Sequence, residues 1–372
     1  MNEDKASRYH RLKRQAGVVS VVWTAALLAG LLVTGWSGVF RDAAAVLGSA
    51  FPAVLRPTLT VLVYVVLLSL LNEIISLPID FYSGFMLERR YELSNETLKA
   101  WLGDQAKSLG LGILLGGAAA AVVYGLIRWS PGWWWLTAGL VFTLLIVGLA
   151  NLAPVLILPL FYAIKPLERE ALRERLLALA ERANARVLGA YEWGLAAKTK
   201  KANAALTGIG GTRRILVSDT MLAEYSDEEI EVVLAHEIAH HVHGDIWKGV
   251  AFQSALTIGG FYLAARLLAL FAGPAGLHGV EDVAGLPLLL LSAGAVSLVM
   301  MPVAHAMSRA FERSADRFAL ALTRNPAAFI SAMRRLGAQN LAEDDPSPLV
   351  QALFYSHPPI RDRIAAAQAF KS

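Results

Sequence analysis

The sequence contains no cysteine and few charged residues. Without Cys in 372 residues, a disulfide framework, a thiolate metal site and a thiol nucleophile are all excluded. Charged residues make up 17% of the chain and hydrophobic residues 56%. Soluble domains average about 25% charged and about 45–50% apolar residues. The composition therefore indicates a membrane protein, and any metal in it must be held by His and carboxylate groups.

Six apolar segments are long enough to cross a bilayer, which takes about 20 residues of helix. They lie at about 16–40, 57–79, 108–128, 133–160, 250–271 and 286–307. The first is not followed by a small-residue cleavage site, so we expect a retained helix rather than a signal peptide. Pro154 and Pro159 interrupt the fourth, where we expect a kink.

The basic residues of the short loops predict the orientation in the membrane. Nine lie in the N-terminal tail and after the second span, namely Lys5, Arg8, Arg11, Lys13, Arg14, Arg89, Arg90, Lys99 and Lys107. Three lie in the opposite loops, namely Arg41, Arg56 and Arg128. This difference predicts a cytoplasmic N-terminus and cytoplasmic polar segments. Because the basic residues lie beside apolar spans, we interpret them as topological and expect no nucleic acid as a partner.

The spans divide the chain into four regions. We expect a membrane region with four spans at 1–164, a polar segment at 165–248, two more spans at 249–307 and a second polar segment at 308–372. The first polar segment predicts an amphipathic helix over 166–186 and short strands near 190–196, 202–209 and 213–218. Gly210-Gly211 forms a turn between the last two strands. Ser226 begins a capping box that predicts a helix running through His240.

That helix carries the motif most informative about function. His236 and His240 are one turn apart on the same face, so both imidazoles can bind one Zn²⁺. Glu237 projects beside them, where it can take a proton from a zinc-bound water. This motif also occurs in proteins that bind no zinc. The alternative interpretation is a surface helix that is rich in histidine, since His241 and His243 follow.

A catalytic zinc needs a third protein ligand and one open position. A third His six residues after His240 is excluded because Ile246 stands there, and Asp245 is expected to point elsewhere on the helix. Glu312 is the better candidate, with Asp316 one turn later to orient a zinc-bound imidazole. The alternative for Glu312 is a solvated carboxylate that pairs with neighbouring arginines.

The chain resembles the type 1 CAAX prenyl proteases, integral-membrane zinc peptidases of the gluzincin kind. The resemblance extends from about residue 66 onward and rests on ordered blocks. These are Leu77-Pro78 with Phe81-Tyr82-Ser83, residues 165–168, 203–208 and 214–220, the zinc motif, Ser308-Arg309 with Glu312 and Asp316, and residues 355–360 with Arg363. The blocks in this order are far more specific than any one alone.

The resemblance implies a mostly α fold, a polytopic helical bundle of six to seven spans that encloses a chamber, with a catalytic domain containing a small β-sheet. Its implied site binds one Zn²⁺ through His236, His240 and Glu312, with Glu237 as general base. Asn203 and Ala204 would form an edge strand that pairs with substrate. The resemblance also implies that His357 and Arg363 reach the active site, where His357 would stabilise the oxyanion.

The sequence leaves the substrate open. The stretch 196–202 is shorter and less Ser-rich than the family's usual approach to the Asn-Ala block, and the chain has six rather than seven expected spans. One reading is cleavage of lipidated or C-terminal peptides at the membrane lipid surface, and a second is degradation of damaged membrane proteins. A third, of another class, is a transporter or lipid-binding bundle with a structural zinc site. Asn72 and Glu73, inside the second span, are candidates to line the chamber.

Overall fold

Helices dominate the computed structural model, which describes residues 4–208 and 210–370. The helices are α1 (Lys5–Val33), α2 (Trp36–Gly48), α3 (Arg56–Asp80), α4 (Leu87–Arg90), α5 (Leu98–Trp129), α6 (Trp134–Leu156), α7 (Leu158–Phe161), α8 (Glu170–Arg182), α9 (Asp219–Glu224), α10 (Asp227–Val242), α11 (Asp245–Phe271), α12 (Leu286–Thr323), α13 (Pro326–Gln339), α14 (Pro348–Phe354) and α15 (Ile360–Gln368). The strands are β1 (Ile164–Pro166), β2 (Ala190–Trp193), β3 (Ala204–Thr207) and β4 (Arg214–Ser218). The mostly α fold with a small sheet is confirmed.

Within the described residues, six helical segments are long and apolar enough to cross a membrane. They are Lys5–Val33, Arg56–Arg90, Leu98–Trp129, Trp134–Phe161, Asp245–Phe271 and Val283–Thr323. A π-helical turn (Phe81–Met86) joins α3 to α4 within the second segment, and a 3-10 turn (Val283–Gly285) precedes α12 in the sixth. The number of expected spans is therefore confirmed, although their ends differ.

The expected first span, 16–40, has the wrong ends. Helix α1 begins at Lys5 and ends at Val33, because Gly35 takes a left-handed conformation with φ of 75° and starts the separate helix α2. The interruption of the fourth span also lies later than its first proline. Pro154 is inside α6, and the helix breaks only at Ile157, just before Pro159.

The membrane helices pack around buried tyrosines and leave one large cavity. The Tyr64 hydroxyl lies 2.6 Å from Ser37 Oγ, which donates to the carbonyl of Ala284 at 2.6 Å. The cavity of about 720 Å³ lies between α3, α5, α11 and α12 and has mostly apolar walls. Asn72 and Glu73 line it, as expected from their position in the second span.

The sheet has the strand order β1-β2-β4-β3. Strands β2 and β4 are parallel, while β1 with β2 and β3 with β4 are antiparallel. The predicted hairpin of β3 and β4 is confirmed, with a 3-10 turn (Gly210–Thr212) between its strands. Strand β1 was not predicted, because three residues ending in Pro166 are too short to show alternation. Strand β3 lies at an edge of the sheet.

The predicted capping box starts α10. Ser226 Oγ accepts from the backbone N–H of Glu229 at 3.3 Å, and the Glu229 carboxylate accepts from the N–H of Ser226 at 2.9 Å. Residues Ile230, Val232 and Leu234 are buried, since α10 packs against α8, α12, α13 and β3. The motif helix is therefore held on several sides, and its imidazoles have fixed positions.

Candidate metal centre and substrate cleft

Three side chains from two helices converge beside the sheet. His236 and His240 come from α10 and Glu312 from α12, and one ligand atom of each lies within 4.8 Å of the others. The Nε2 atom of His236 is 3.1 Å from Glu312 Oε2, and that of His240 is 3.4 Å from Glu312 Oε1. The helical spacing of the two histidines places their rings 5.0 Å apart at 86°. This donor set, two imidazoles and one carboxylate, is typical of zinc.

The Nδ1 atom of each histidine faces a buried carboxylate. Asp316 Oδ1 lies 2.9 Å from Nδ1 of His236, as the one-turn spacing from Glu312 suggested. Asp245 Oδ2 lies 3.0 Å from Nδ1 of His240. When Nδ1–H donates to a carboxylate, the Nε2 lone pair is left free to bind a metal. Both rings therefore present Nε2 to the same point.

The expectation that Asp245 points elsewhere on the motif helix was wrong. Helix α10 ends at Val242, and Gly244 takes a left-handed conformation with φ of 67°. The chain turns there, so Asp245 begins α11 and folds back onto His240. Helical periodicity beyond Val242 could not reveal this contact, although a Gly two residues after a helix is a usual stop signal.

The charges at this point favour a bound cation. Glu312 Oε2 is buried and has no hydrogen-bond partner among the described residues, although the Nε2 atom of His236 is close to it. Burial alone would lower the pKa of His236, but the nearby carboxylates of Asp316 and Glu312 raise it to about 9. These carboxylates thus favour a positive charge at the imidazole. A divalent metal at this point would bind the Nε2 lone pairs and would be paired with the Glu312 carboxylate. The residues fit a zinc ion.

Glu237 lies between the two histidines in sequence and on the wall of an adjoining cleft. The cleft of about 350 Å³ is lined by His236, Glu237, Glu312 and, on its other walls, by Asn203 and His357 among others. Burial raises the pKa of Glu237 above its usual value, while the adjacent imidazoles oppose the shift. A carboxylate with a raised pKa beside a cleft is suited to proton transfer.

His357 and Arg363 reach the same centre in different ways. The exposed ring of His357 lies at the cleft with Nε2 3.3 Å from Glu312 Oε1. Arg363 is largely buried and donates to both oxygens of Asp316, at 2.6 and 2.9 Å. It therefore fixes the carboxylate that orients His236, in addition to lining the cleft.

Asn203 and Ala204 stand at the start of the edge strand. The N–H of Asn203 donates to Ser218 Oγ at 3.0 Å, and its carbonyl accepts from the N–H of Ser218 at 2.9 Å. Both backbone groups of Asn203 thus face β4. Ala204 follows with the opposite orientation and also lines the cleft.

Sequence reasoning missed one wall of the cleft. The basic N-terminal residues, interpreted as topological, also make specific contacts: Lys13 Nζ lies 2.7 Å from Glu88, and Arg14 lies 2.6 Å from Glu343. Arg14 also donates to the Tyr355 hydroxyl at 3.0 Å. Glu343 and Tyr355 line the cleft, so the first turns of α1 support it. Pairs more than 300 residues apart leave no local pattern in the sequence.

Comparison with known proteins gives matches over nearly the whole chain. The model "CAAX prenyl protease N-terminal, five membrane helices" matches residues 2–163, and "Peptidase family M48" matches residues 166–371. An uncharacterized metalloprotease, YhfN, of Bacillus subtilis is 33% identical over 309 residues, 82% of this chain and 72% of that protein. CAAX prenyl protease 1 of Saccharomyces cerevisiae is 26% identical over 97% of this chain and 84% of its own. The crystal structure of S. mikatae Ste24p superposes with a TM-score of 0.85 at 24% identity, over 98% of this chain and 87% of that one.

Proposed function

Because this chain belongs to peptidase family M48 and is a membrane metalloprotease of the CAAX prenyl protease type, we propose that it hydrolyses peptide bonds with one zinc ion held by His236, His240 and Glu312. The observation that carries the proposal is the convergence of three ligand atoms within 4.8 Å. Each imidazole is also oriented by a buried carboxylate, which is the usual arrangement around zinc.

Three protein ligands leave one coordination position for water or substrate. His236, His240 and Glu312 would hold the zinc ion, which would supply Lewis acidity for the scissile carbonyl and the attacking water. Glu237 takes a proton from the attacking water and passes it to the leaving amine. Asp316 and Asp245 hold the imidazoles with Nε2 unprotonated, and Arg363 holds Asp316 in place.

The peptide lies in the cleft between the zinc ligands and β3. Ala204 stands where an extended peptide can pair with the free edge of the sheet, and Asn203 lines the same cleft. His357 is within reach of the same centre, where its imidazole N–H donates to the developing oxyanion. Its exposure on the open side of the cleft leaves it accessible to a substrate.

The substrate is a peptide or protein at the membrane surface, lipidated or unmodified. The basic residues near the spans support a cytoplasmic N-terminus, and with it a site and C-terminus on the cytoplasmic side. Several relatives carry the name CAAX prenyl protease 1, which favours a C-terminal or lipidated substrate over general degradation of membrane proteins. A transporter with a structural zinc site is disfavoured, because Glu237 and an open coordination position have no structural purpose.

The Glu237→Gln variant tests the mechanism. We expect it to bind one zinc per chain, as the wild type does, and to lose peptidase activity by at least about 10²-fold, since general base catalysis contributes about 10²–10⁴-fold. Glu312→Ala is the matched variant, in which zinc is lost together with activity. Purified protein in detergent is assayed for zinc content and for cleavage of a farnesylated CAAX peptide beside an unmodified one. Full turnover by Glu237→Gln would exclude this mechanism, and equal cleavage of both peptides would exclude a prenyl requirement.

A further inference from the structure

The free edge of β3 offers few backbone groups. In an antiparallel pair, the N–H and C=O of alternate residues point toward the partner strand or away from it. Asn203 exchanges bonds with Ser218 of β4. The backbone groups of Ala202, Ala204 and Leu206 therefore point outward, toward the side on which a peptide would pair.

One side chain forms hydrogen bonds with both outward backbone groups of Ala202. Asn340, at the end of α13, accepts from the N–H of Ala202 through Oδ1 at 3.0 Å. Its Nδ2 donates to the carbonyl of the same residue at 3.2 Å. The Asn340 amide thus takes the place that the backbone of a pairing strand would occupy, and the edge is closed at this point.

The other end of the edge is partly closed as well. His241 Nε2 donates to the carbonyl of Leu206 at 2.9 Å. Between the two contacts remain the N–H and C=O of Ala204 and the N–H of Leu206. Ala204 and Asn340 both line the cleft that contains Glu237, so the open part of the edge lies beside the metal ligands.

We propose that Asn340 is a specificity-determining residue, which ends the pairing of an extended peptide with β3 and so limits how many residues beyond the scissile bond contribute to binding. The inference rests on the proposed peptidase function. A peptide antiparallel to β3 runs from Leu206 toward Ala202, so its C-terminal residues approach Asn340. Two residues of strand advance about 7 Å. The peptide must therefore leave the edge about two residues after the one that pairs with Ala204.

The test uses a series of peptides that differ only in the number of residues after the scissile bond, from one to eight. For the wild type we expect kcat/KM to rise over the first two or three residues and then to stay level. In Asn340→Ala the outward groups of Ala202 are free, and two more hydrogen bonds can form. We expect longer peptides to gain about tenfold in kcat/KM, mainly through KM, since the bonds are made in the ground state as well.

Gln339→Ala is the matched control. Gln339 is the neighbouring residue, and its Nε2 donates to the carbonyl of Lys200 at 2.8 Å, in the same segment before β3. It does not line the cleft, so its loss should leave the length profile like that of the wild type. Thermal unfolding in detergent measures the stability of both variants. If Asn340→Ala does not fold, Asn340→Asp decides: its carboxylate can still accept from the N–H of Ala202 but can no longer donate to the carbonyl of Ala202, so a smaller gain is expected.

The outcomes separate the inference from the proposed function. A wild type that cleaves no peptide of the series contradicts the peptidase proposal itself. A wild-type enzyme that is active, and whose kcat/KM keeps rising with the number of residues after the scissile bond, contradicts the inference alone. The same holds if the Asn340 variants are folded and active but have an unchanged length profile, or if Gln339→Ala changes it equally.

Discussion

Removal of the Asp245 carboxylate should weaken zinc binding without unfolding the protein. Its Oδ2 is 3.0 Å from Nδ1 of His240, and its other oxygen accepts from Lys248 Nζ at 2.9 Å. Loss of a carboxylate that orients a metal-bound imidazole lowers metal affinity by about 10–100-fold, or about 1.4–2.7 kcal/mol. In Asp245→Ala the Lys248 ammonium can turn into water, because its side chain is 54% exposed. The cost is therefore expected mainly in zinc affinity.

Asp316→Ala provides the contrast. The Arg363 guanidinium that binds Asp316 is only 10% exposed, so this substitution leaves a buried charge without its main partner. Breaking a buried ion pair in this way costs about 3–5 kcal/mol. We expect Asp316→Ala to lower both zinc affinity and thermal stability, whereas Asp245→Ala lowers zinc affinity alone.

The assay is competition for zinc against a chelator of known affinity, with thermal unfolding of the same samples after chelation. Asp245→Asn should show a smaller loss, because the amide oxygen can still accept from His240. Wild-type zinc affinity in Asp245→Ala would refute the assigned role of this carboxylate. A large loss of stability in the chelated variant would show that Asp245 acts on the fold and not on the imidazole.

Two further predictions concern helix packing and the segment before His357. A Cβ on Gly139 would lie 2.7 Å from Cγ1 and 3.1 Å from Cα of Ile258, so Gly139→Ala should force α6 away from α11 and lower the free energy of unfolding by about 1–3 kcal/mol. Gly148→Ala, where a Cβ meets nothing within 4 Å, should not be destabilising in the same thermal unfolding experiment. Arg309 donates to two backbone carbonyls of the segment before His357, at 2.6 and 3.0 Å. Arg309→Ala should lower kcat about tenfold with zinc content unchanged, and an unchanged kcat in steady-state assays would contradict this role.

The parts of the fold with a local repeating pattern could be predicted from the sequence. Apolar runs gave the six spans, and the capping box gave the start of α10 at the right residue. The motif spacing selected His236 and His240, and the structure brings to them Glu312, which lies more than 70 residues later in the chain. The exact ends of the spans were less accurate, since a single glycine, Gly35, decides where α1 stops.

What could not be predicted depends on contacts through space. Asp245 was misplaced because periodicity was extended past the end of α10 at Val242. The basic tail was assigned to topology by composition alone, whereas Arg14 has a fixed partner in Glu343. Asn340 had no motif to mark it, because its proposed role depends on the hydrogen bonds to Ala202 and not on its neighbours in the chain.

The metal site is attached directly to the membrane helices. Glu312 and Asp316 belong to α12, which continues without a break from the sixth apolar segment, and Asp245 is the first residue of α11. The centre therefore joins three helices: α10 provides two imidazoles, α12 a ligand and an orienting carboxylate, and α11 the second orienting carboxylate. A displacement of either membrane helix would change a contact at the proposed zinc ligands. It follows that the distance of the site from the apolar spans is fixed by continuous helix, and we expect a substrate to reach it close to the membrane surface.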